Sequence, residues 1–170
     1  QASGFRVITL LTKFLTNQKR LPEERARRGK TKMRPEWDEI WANFAKQISR
    51  RSVDPKYKVG AVIVNDENTQ VLSIGYNGDQ KGGPNERESI ATGCSGFIHA
   101  EENALIKLDY NNPKRKKMYV TLSPCEMCAK KIINAGIDEV IYLERYEQSN
   151  GIDILIDAGI DTRQLQSSGD

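Results

Sequence analysis

Two short motifs limit what this chain can fold into: His99-Ala100-Glu101, and Pro124-Cys125-Glu126-Met127-Cys128. Each is predicted to open a helix directly after an apolar stretch. Cys125 and Cys128 stand three residues apart, so both thiolates project from one face of a first helical turn and can share a tetrahedral ion. His99 adds a further soft donor, and a fold that uses all of them must bring the two helix starts together. Helix N-termini favour the thiolate form and any developing negative charge. A Cys2His set leaves one coordination position open, which marks a catalytic and not a structural zinc site. Glu101, two residues past His99, is placed to reach a water at that position without ligating the metal.

The soft-ligand inventory is small: three Cys and one His. An odd Cys count with two of them in C-x-x-C argues against a disulfide framework and for metal or redox chemistry in a reducing compartment. Alone, C-x-x-C also suits a redox pair or half of a structural zinc site, and Cys94 could complete a four-ligand structural set. Those readings leave Glu101 and Pro124 without a role. Cys94 reads as a small buried residue or a loop thiol, so one zinc ion per chain is expected.

With 170 residues the chain is long enough for one domain with a real core. Residues 1–33 read as a basic appendage or linker and 34–170 as the catalytic domain. The first segment carries nine Lys or Arg against Glu23 and Glu24, a net of +7, and the remainder carries 17 basic and 21 acidic residues, a net of −4. A mildly acidic domain argues against a nucleic-acid partner, and runs of charge are mostly solvated. In the appendage Phe5, Val7, Ile8, Leu11, Phe14 and Leu15 could line one helical face. That stretch is short and broken by Arg6, Thr9, Thr12 and Lys13, far from the roughly 20 apolar residues that span a bilayer. No membrane span is expected, and a cytoplasmic address is the default.

The domain opens on an amphipathic helix. Pro35 suits its first turn, Trp37, Ile40, Trp41, Phe44, Ala45 and Ile48 form a core-packing face, and Asp54-Pro55 breaks it. Lys58–Val64 and Gln70–Tyr76 read as strands around a turn at residues 65–68. The irregular stretch 77–96, with Gly78, Gly82, Gly83 and Pro84, is long enough to be functional. A helix over His99–Leu108, a strand over Met118–Leu122, and a helix from Ser123 (as N-cap) and Pro124 to about Ala135 follow. A strand over Glu139–Leu143, a short helix over residues 152–158 and a fifth strand over 160–165 complete the pattern. Helices alternating with short strands imply an α/β layered sheet.

In this order, H-x-E…P-C-x-x-C resembles the zinc nucleobase deaminases, and more closely the deoxycytidylate (dCMP) deaminase family. That resemblance covers about residues 34–165. It rests on Arg51-Ser52, on Val59 through Val64, on Gly75-Tyr76-Asn77-Gly78, on His99 through Ala104, on Met118 through Cys128, and on Ile132 through Ile137. It implies a mixed five-stranded sheet layered between helices, and a zinc-dependent hydrolase of nucleotide biosynthesis that turns dCMP into dUMP and ammonia. His99, Cys125 and Cys128 would hold the zinc. Glu101 would carry protons from a zinc-activated water to N3 of the ring and to the amine leaving C4.

Further roles follow from the resemblance by position. Asn77 would contact the sugar-phosphate part of the substrate, backbone groups of Ala61, Ala100 and Ser123 would read the cytosine edge, and Tyr146 would lie over the pocket. Arg51 and Lys58 would be phosphate contacts. The family also implies a homo-oligomer, hexamer or dimer, under allosteric control by dCTP and dTTP. Many members hold a second zinc in the loop before the ligand His; here Cys94 is the only soft residue in it. The alternatives are a dCTP deaminase controlling the dCTP pool, and a deaminase acting on tRNA adenosine or on cytosine in nucleic acid. The latter needs a basic, aromatic surface that splays bases. A deaminase of a pterin-like or purine metabolite, or a nucleotide-sensing zinc module without turnover, would share the same motifs.

Overall fold

A computed structural model describes residues 34–166. The basic segment 1–33, with its apolar stripe from Phe5 to Leu15, lies outside the described residues. The elements run α1 (Trp37–Ser49), β1 (Gly60–Asn65), β2 (Val71–Tyr76), α2 (Ala100–Leu105), β3 (Lys116–Leu122), α3 (Glu126–Asn134), β4 (Glu139–Glu144), α4 (Gly151–Asp157) and β5 (Asp161–Gln164). The strands form one sheet in the order β2-β1-β3-β4-β5. β1 pairs antiparallel with β2 and β3, while β3, β4 and β5 run parallel, so the sheet is mixed as expected. The parallel half needs crossovers, and α3 and α4 supply them.

Alternation along the strands builds two cores. Ala61, Ile63, Met118, Val120 and Val140 pack with Ala100 and Ala104 of α2, Ala129 and Ile132 of α3, and Ile152 and Leu155 of α4. The residues between them, Val62, Val64, Tyr119 and Ile141, meet Ala45 of α1 on the other face. The sheet is therefore sandwiched, with both metal-motif helices on one side. Gly75 permits this closeness: a Cβ there would collide with the Ala100 carbonyl and the Ala104 amide of α2. At the far end of α3, Gly136 takes the left-handed conformation (φ 68°) that stops the helix.

Several boundaries differ from those expected. Glu36 is the N-cap of α1, so Pro35 precedes the helix and does not sit in its first turn. α1 also ends at Ser49, well before Asp54-Pro55, because the amides of Arg51 and Ser52 close tight turns onto Ile48 and Ser49. Its aromatic face is only partly core. Trp41, Phe44 and Ile48 pack against the sheet, whereas Trp37 is 43% exposed and stacks on Trp41 at 5.4 Å. α2 is shorter than the expected 99–108, and its last residues form turns. Ser123 does not cap α3; that position belongs to Cys125. β3 stays paired with β4 to its end, and the Ser123 amide continues the ladder by donating to Glu144 O. No described helix is long and apolar enough to cross a membrane.

Candidate metal centre and its pocket

His99 is the N-cap of α2 and Cys125 the N-cap of α3, with Cys128 in the first turn of α3. Because both helices lie on the same face of the sheet, their starts converge. His99 Nδ1 is 3.5 Å from Cys125 Sγ and 3.4 Å from Cys128 Sγ. All of these donor atoms lie within 4.8 Å of one another, and no other such group occurs among the described residues. Zn–S bonds of about 2.3 Å and Zn–N bonds of about 2.0–2.1 Å at a tetrahedral angle require an S···N edge of about 3.6 Å. Both S···N distances therefore match a shared zinc ion. Cys94 is an exposed loop thiol and takes no part in it.

The charge states match a metal site. The hydrogen bond with Cys128 pulls the Cys125 thiol down to about 3, against the opposing effect of its burial and with help from His99. The Cys128 thiol is pushed upward by the same bond and by its own burial. Thiolate ligation of a cation by the pair would release protons, so metal binding there depends on pH. His99 is raised by its hydrogen bond with Cys125, against burial, with Glu101 adding to the rise. Glu101 is enclosed, and burial pushes its carboxyl up to about 7.

A cavity of about 250 Å³ opens beside these residues. His99, Ala100, Glu101 and Cys125 form its floor, and Tyr57 and Tyr146 meet edge-on in its wall at 6.0 Å. Ser123 is also on the wall, where its hydroxyl accepts the Tyr146 amide at 2.8 Å and fixes that aromatic in place. Asn77 lines the cavity, but its amide is engaged by the protein. Its Oδ1 accepts the Val59 N–H at 2.8 Å, and its Nδ2 donates to Tyr57 O at 2.6 Å and to Asp54 Oδ2 at 3.3 Å. Asn77 fastens the segment before β1 to the end of β2.

Other expected contacts lie elsewhere. Ala61 is fully buried inside β1 and off the cavity wall; Val59, one strand period earlier, stands there instead. Arg51 and Lys58 are exposed and do not line the cavity. The cation on the wall is Arg87, paired with Asp54 across 33 residues of sequence. Sequence reasoning missed both, reading Asp54 only as a helix breaker. The long Gly-containing loop was the one available signal, and nothing in it distinguishes Arg87 from Lys81.

Residues 35–144 match the family model described as the cytidine and deoxycytidylate deaminase zinc-binding region. The deoxycytidylate deaminase of Homo sapiens is 39% identical over 124 residues, which cover 68% of this chain and 69% of that protein. The deoxycytidylate deaminase of Saccharomyces cerevisiae is 31% identical over 163 residues, covering 89% of this chain and 52% of that protein. Among solved structures, the dCMP deaminase of cyanophage S-TIM5 in complex with dCMP and dUMP superposes with a TM-score of 0.68 at 32% identity. That alignment covers 78% of this chain and 99% of the phage chain.

Proposed function

Because the chain belongs to the cytidine and deoxycytidylate deaminase family, we propose that it is a zinc-dependent hydrolase converting dCMP to dUMP with release of ammonia. One observation carries this reading: a buried carboxyl, Glu101, lines a cavity of about 250 Å³ together with His99 and Cys125, two members of a His-Cys-Cys donor set whose S···N spacing suits zinc. Zinc, when bound, makes a water acidic enough to serve as a nucleophile near neutral pH. His99, Cys125 and Cys128 hold the ion. Glu101 takes a proton from the attacking water and places it on N3 of the ring as the C4–O bond forms. It then takes the remaining proton from the new C4 hydroxyl and gives it to the amine, which leaves as ammonia while C4 becomes a carbonyl. A carboxyl that titrates near 7 suits both directions of transfer.

The remaining wall orients the base. Backbone groups of Ala100 and Ser123 pair with the cytosine edge, which must not be buried without partners. Tyr146, pinned by Ser123, covers the ring together with Tyr57. Asn77 acts by holding the Tyr57–Val59 wall in place. A catalytic domain over 34–170 with 1–33 as an appendage, one zinc per chain, homo-oligomeric assembly, control by dCTP and dTTP, and a reducing, cytoplasmic setting belong to the same proposal.

The test is zinc content together with ammonia release from dCMP, dCTP, CMP, deoxycytidine and adenosine in single-stranded RNA. We expect one zinc per chain and dCMP leading the panel. Zinc-loaded protein that releases no ammonia from dCMP would refute the proposal. A clear lead for dCTP would move the function to control of the dCTP pool.

A further inference from the structure

The loop between β2 and α2 brings one cation to the cavity. Among the described residues, Arg87 is the only Lys or Arg on the wall. Its side chain is 9% exposed and that of Asp54 is 3% exposed. Arg87 Nε donates to Ser89 O at 2.7 Å, and Nη1 donates to both Asp54 oxygens at 2.8 and 2.7 Å. Asp54 is itself held, accepting the Lys56 amide at 2.8 Å and Asn77 Nδ2 at 3.3 Å.

A guanidinium has five N–H donors. Ser89 and Asp54 take those on Nε and Nη1, and Nη2 has no partner among the described residues. Yet no fully buried side-chain N or O among them lacks a partner. Nη2 is therefore not sealed inside the protein, and the side chain that carries it lines the cavity. A planar group with spare donors, its rotamer locked by a carboxylate behind it, is suited to recognising phosphate oxygens. Arg51 and Lys58, the phosphate contacts expected from the sequence, are exposed and off the wall.

We propose that Arg87 reads the 5′-phosphate of the substrate and sets the preference for nucleotide over nucleoside, with Asp54 as its positioning residue. The inference rests on the dCMP reading above. Asp54 neutralises the guanidinium, so selection comes from aimed donors and not from a diffuse positive field. The base end of the pocket is the same for dCMP and deoxycytidine, so Arg87 separates the two substrates only through the phosphate.

The experiment compares kcat/KM for dCMP and deoxycytidine in the full, zinc-loaded chain. The variants are Arg87→Gln, Arg87→Lys, and Arg87→Gln combined with Asp54→Asn. If nucleoside turnover is too slow to measure, inhibition by dUMP against deoxyuridine gives the same ratio. Arg87→Gln should lower kcat/KM on dCMP by about ten- to hundred-fold, the range for one charge-assisted bond, and leave deoxycytidine nearly unchanged. Arg87→Lys should recover part of the ratio. The double variant should keep the lost ratio while regaining thermal stability, because it leaves no unpaired carboxylate buried. It carries the test if Arg87→Gln alone does not fold.

Equal losses on both substrates in folded, zinc-loaded protein would make the pair a loop staple and overturn the inference. An unchanged ratio would overturn it too. In both cases the wild type still deaminates dCMP, which separates these failures from a failure of the dCMP reading.

Discussion

Glu101 is pushed by burial to about 7, next to thiol and imidazole groups that face the same cavity. Glu101→Gln keeps shape and hydrogen-bonding atoms but cannot carry a proton, so zinc should remain while turnover falls by about 10²–10⁴-fold, the usual range for a general acid–base group. His99→Ala should lose zinc and activity together, since two thiolates alone bind the ion poorly at a site built for three donors. Zinc analysis and ammonia release on the same samples check both outcomes, and a near-wild-type rate for Glu101→Gln would remove it as the proton carrier. These residues were legible because their spacing is local: three positions between the Cys, two between His and Glu. Arg87 and Asp54 were not, since 33 residues separate them and only the folded loop joins them. Ala61 illustrates another limit. The strand was expected at Lys58–Val64 and forms at Gly60–Asn65, and which of its residues reaches the cavity depends on where β1 begins, which is set by tertiary packing.

Elements meet the site through close contacts that sequence periodicity signals only in part. The apolar runs gave every strand and helix of the described domain, because periods of 2 and 3.6 survive in a half-buried layer. Their ends were shifted where tertiary hydrogen bonds took over, as at Ser123, whose hydroxyl serves Tyr146 and not α3. Gly75→Val tests the fit of α2 on β2. Its added carbons would strike the Ala100 carbonyl and the Ala104 amide, backbone atoms that cannot swing aside. Overpacking of this kind costs about 1–3 kcal/mol or more, and here it also displaces His99. A lower melting temperature together with weaker zinc retention is the expected result, and a variant unchanged in both would show that α2 has room to move.

α1 is tied to the opposite face by ions. Asp38 accepts the Tyr119 hydroxyl at 2.7 Å and pairs with Arg163 at 2.8 Å, while Arg163 also reaches Glu139 at 2.9 Å. Burial works against ionisation of Asp38, but the bonds from Arg163 and Tyr119 outweigh it and hold its carboxyl below the usual value. A depressed carboxyl stabilises the fold above the unfolded-state pKa of about 3.9, and the contribution fades as pH falls through the folded value. Asp38→Asn should therefore destabilise by about 1 kcal/mol at pH 7, after allowance for solvent screening of a half-exposed pair. Denaturation curves of the two proteins should converge as pH falls below 4. A gap that persists undiminished at acid pH would assign the loss to packing and not to charge.

At the scale of the whole molecule the sequence divides by charge, a net of +7 over residues 1–33 and −4 over the rest. The family match covers residues 35–144. Among the described residues, every one that lines the cavity comes from Asp54 or later, and the metal donors come from His99 onward. On the proposed mechanism, catalysis on a free nucleotide uses the zinc donors, Glu101 and that wall. A chain of residues 34–170 should fold, bind one zinc, and deaminate dCMP with kcat/KM close to that of the full chain. Raising ionic strength should affect the two equally if long-range steering by the basic segment contributes little to capture of a dianionic substrate. If steering matters, the full chain alone should lose rate with salt, because fields of exposed charges are screened over about 10 Å at 0.1 M. A truncated protein that folds and holds zinc but loses turnover at every ionic strength would place part of the working site in residues 1–33.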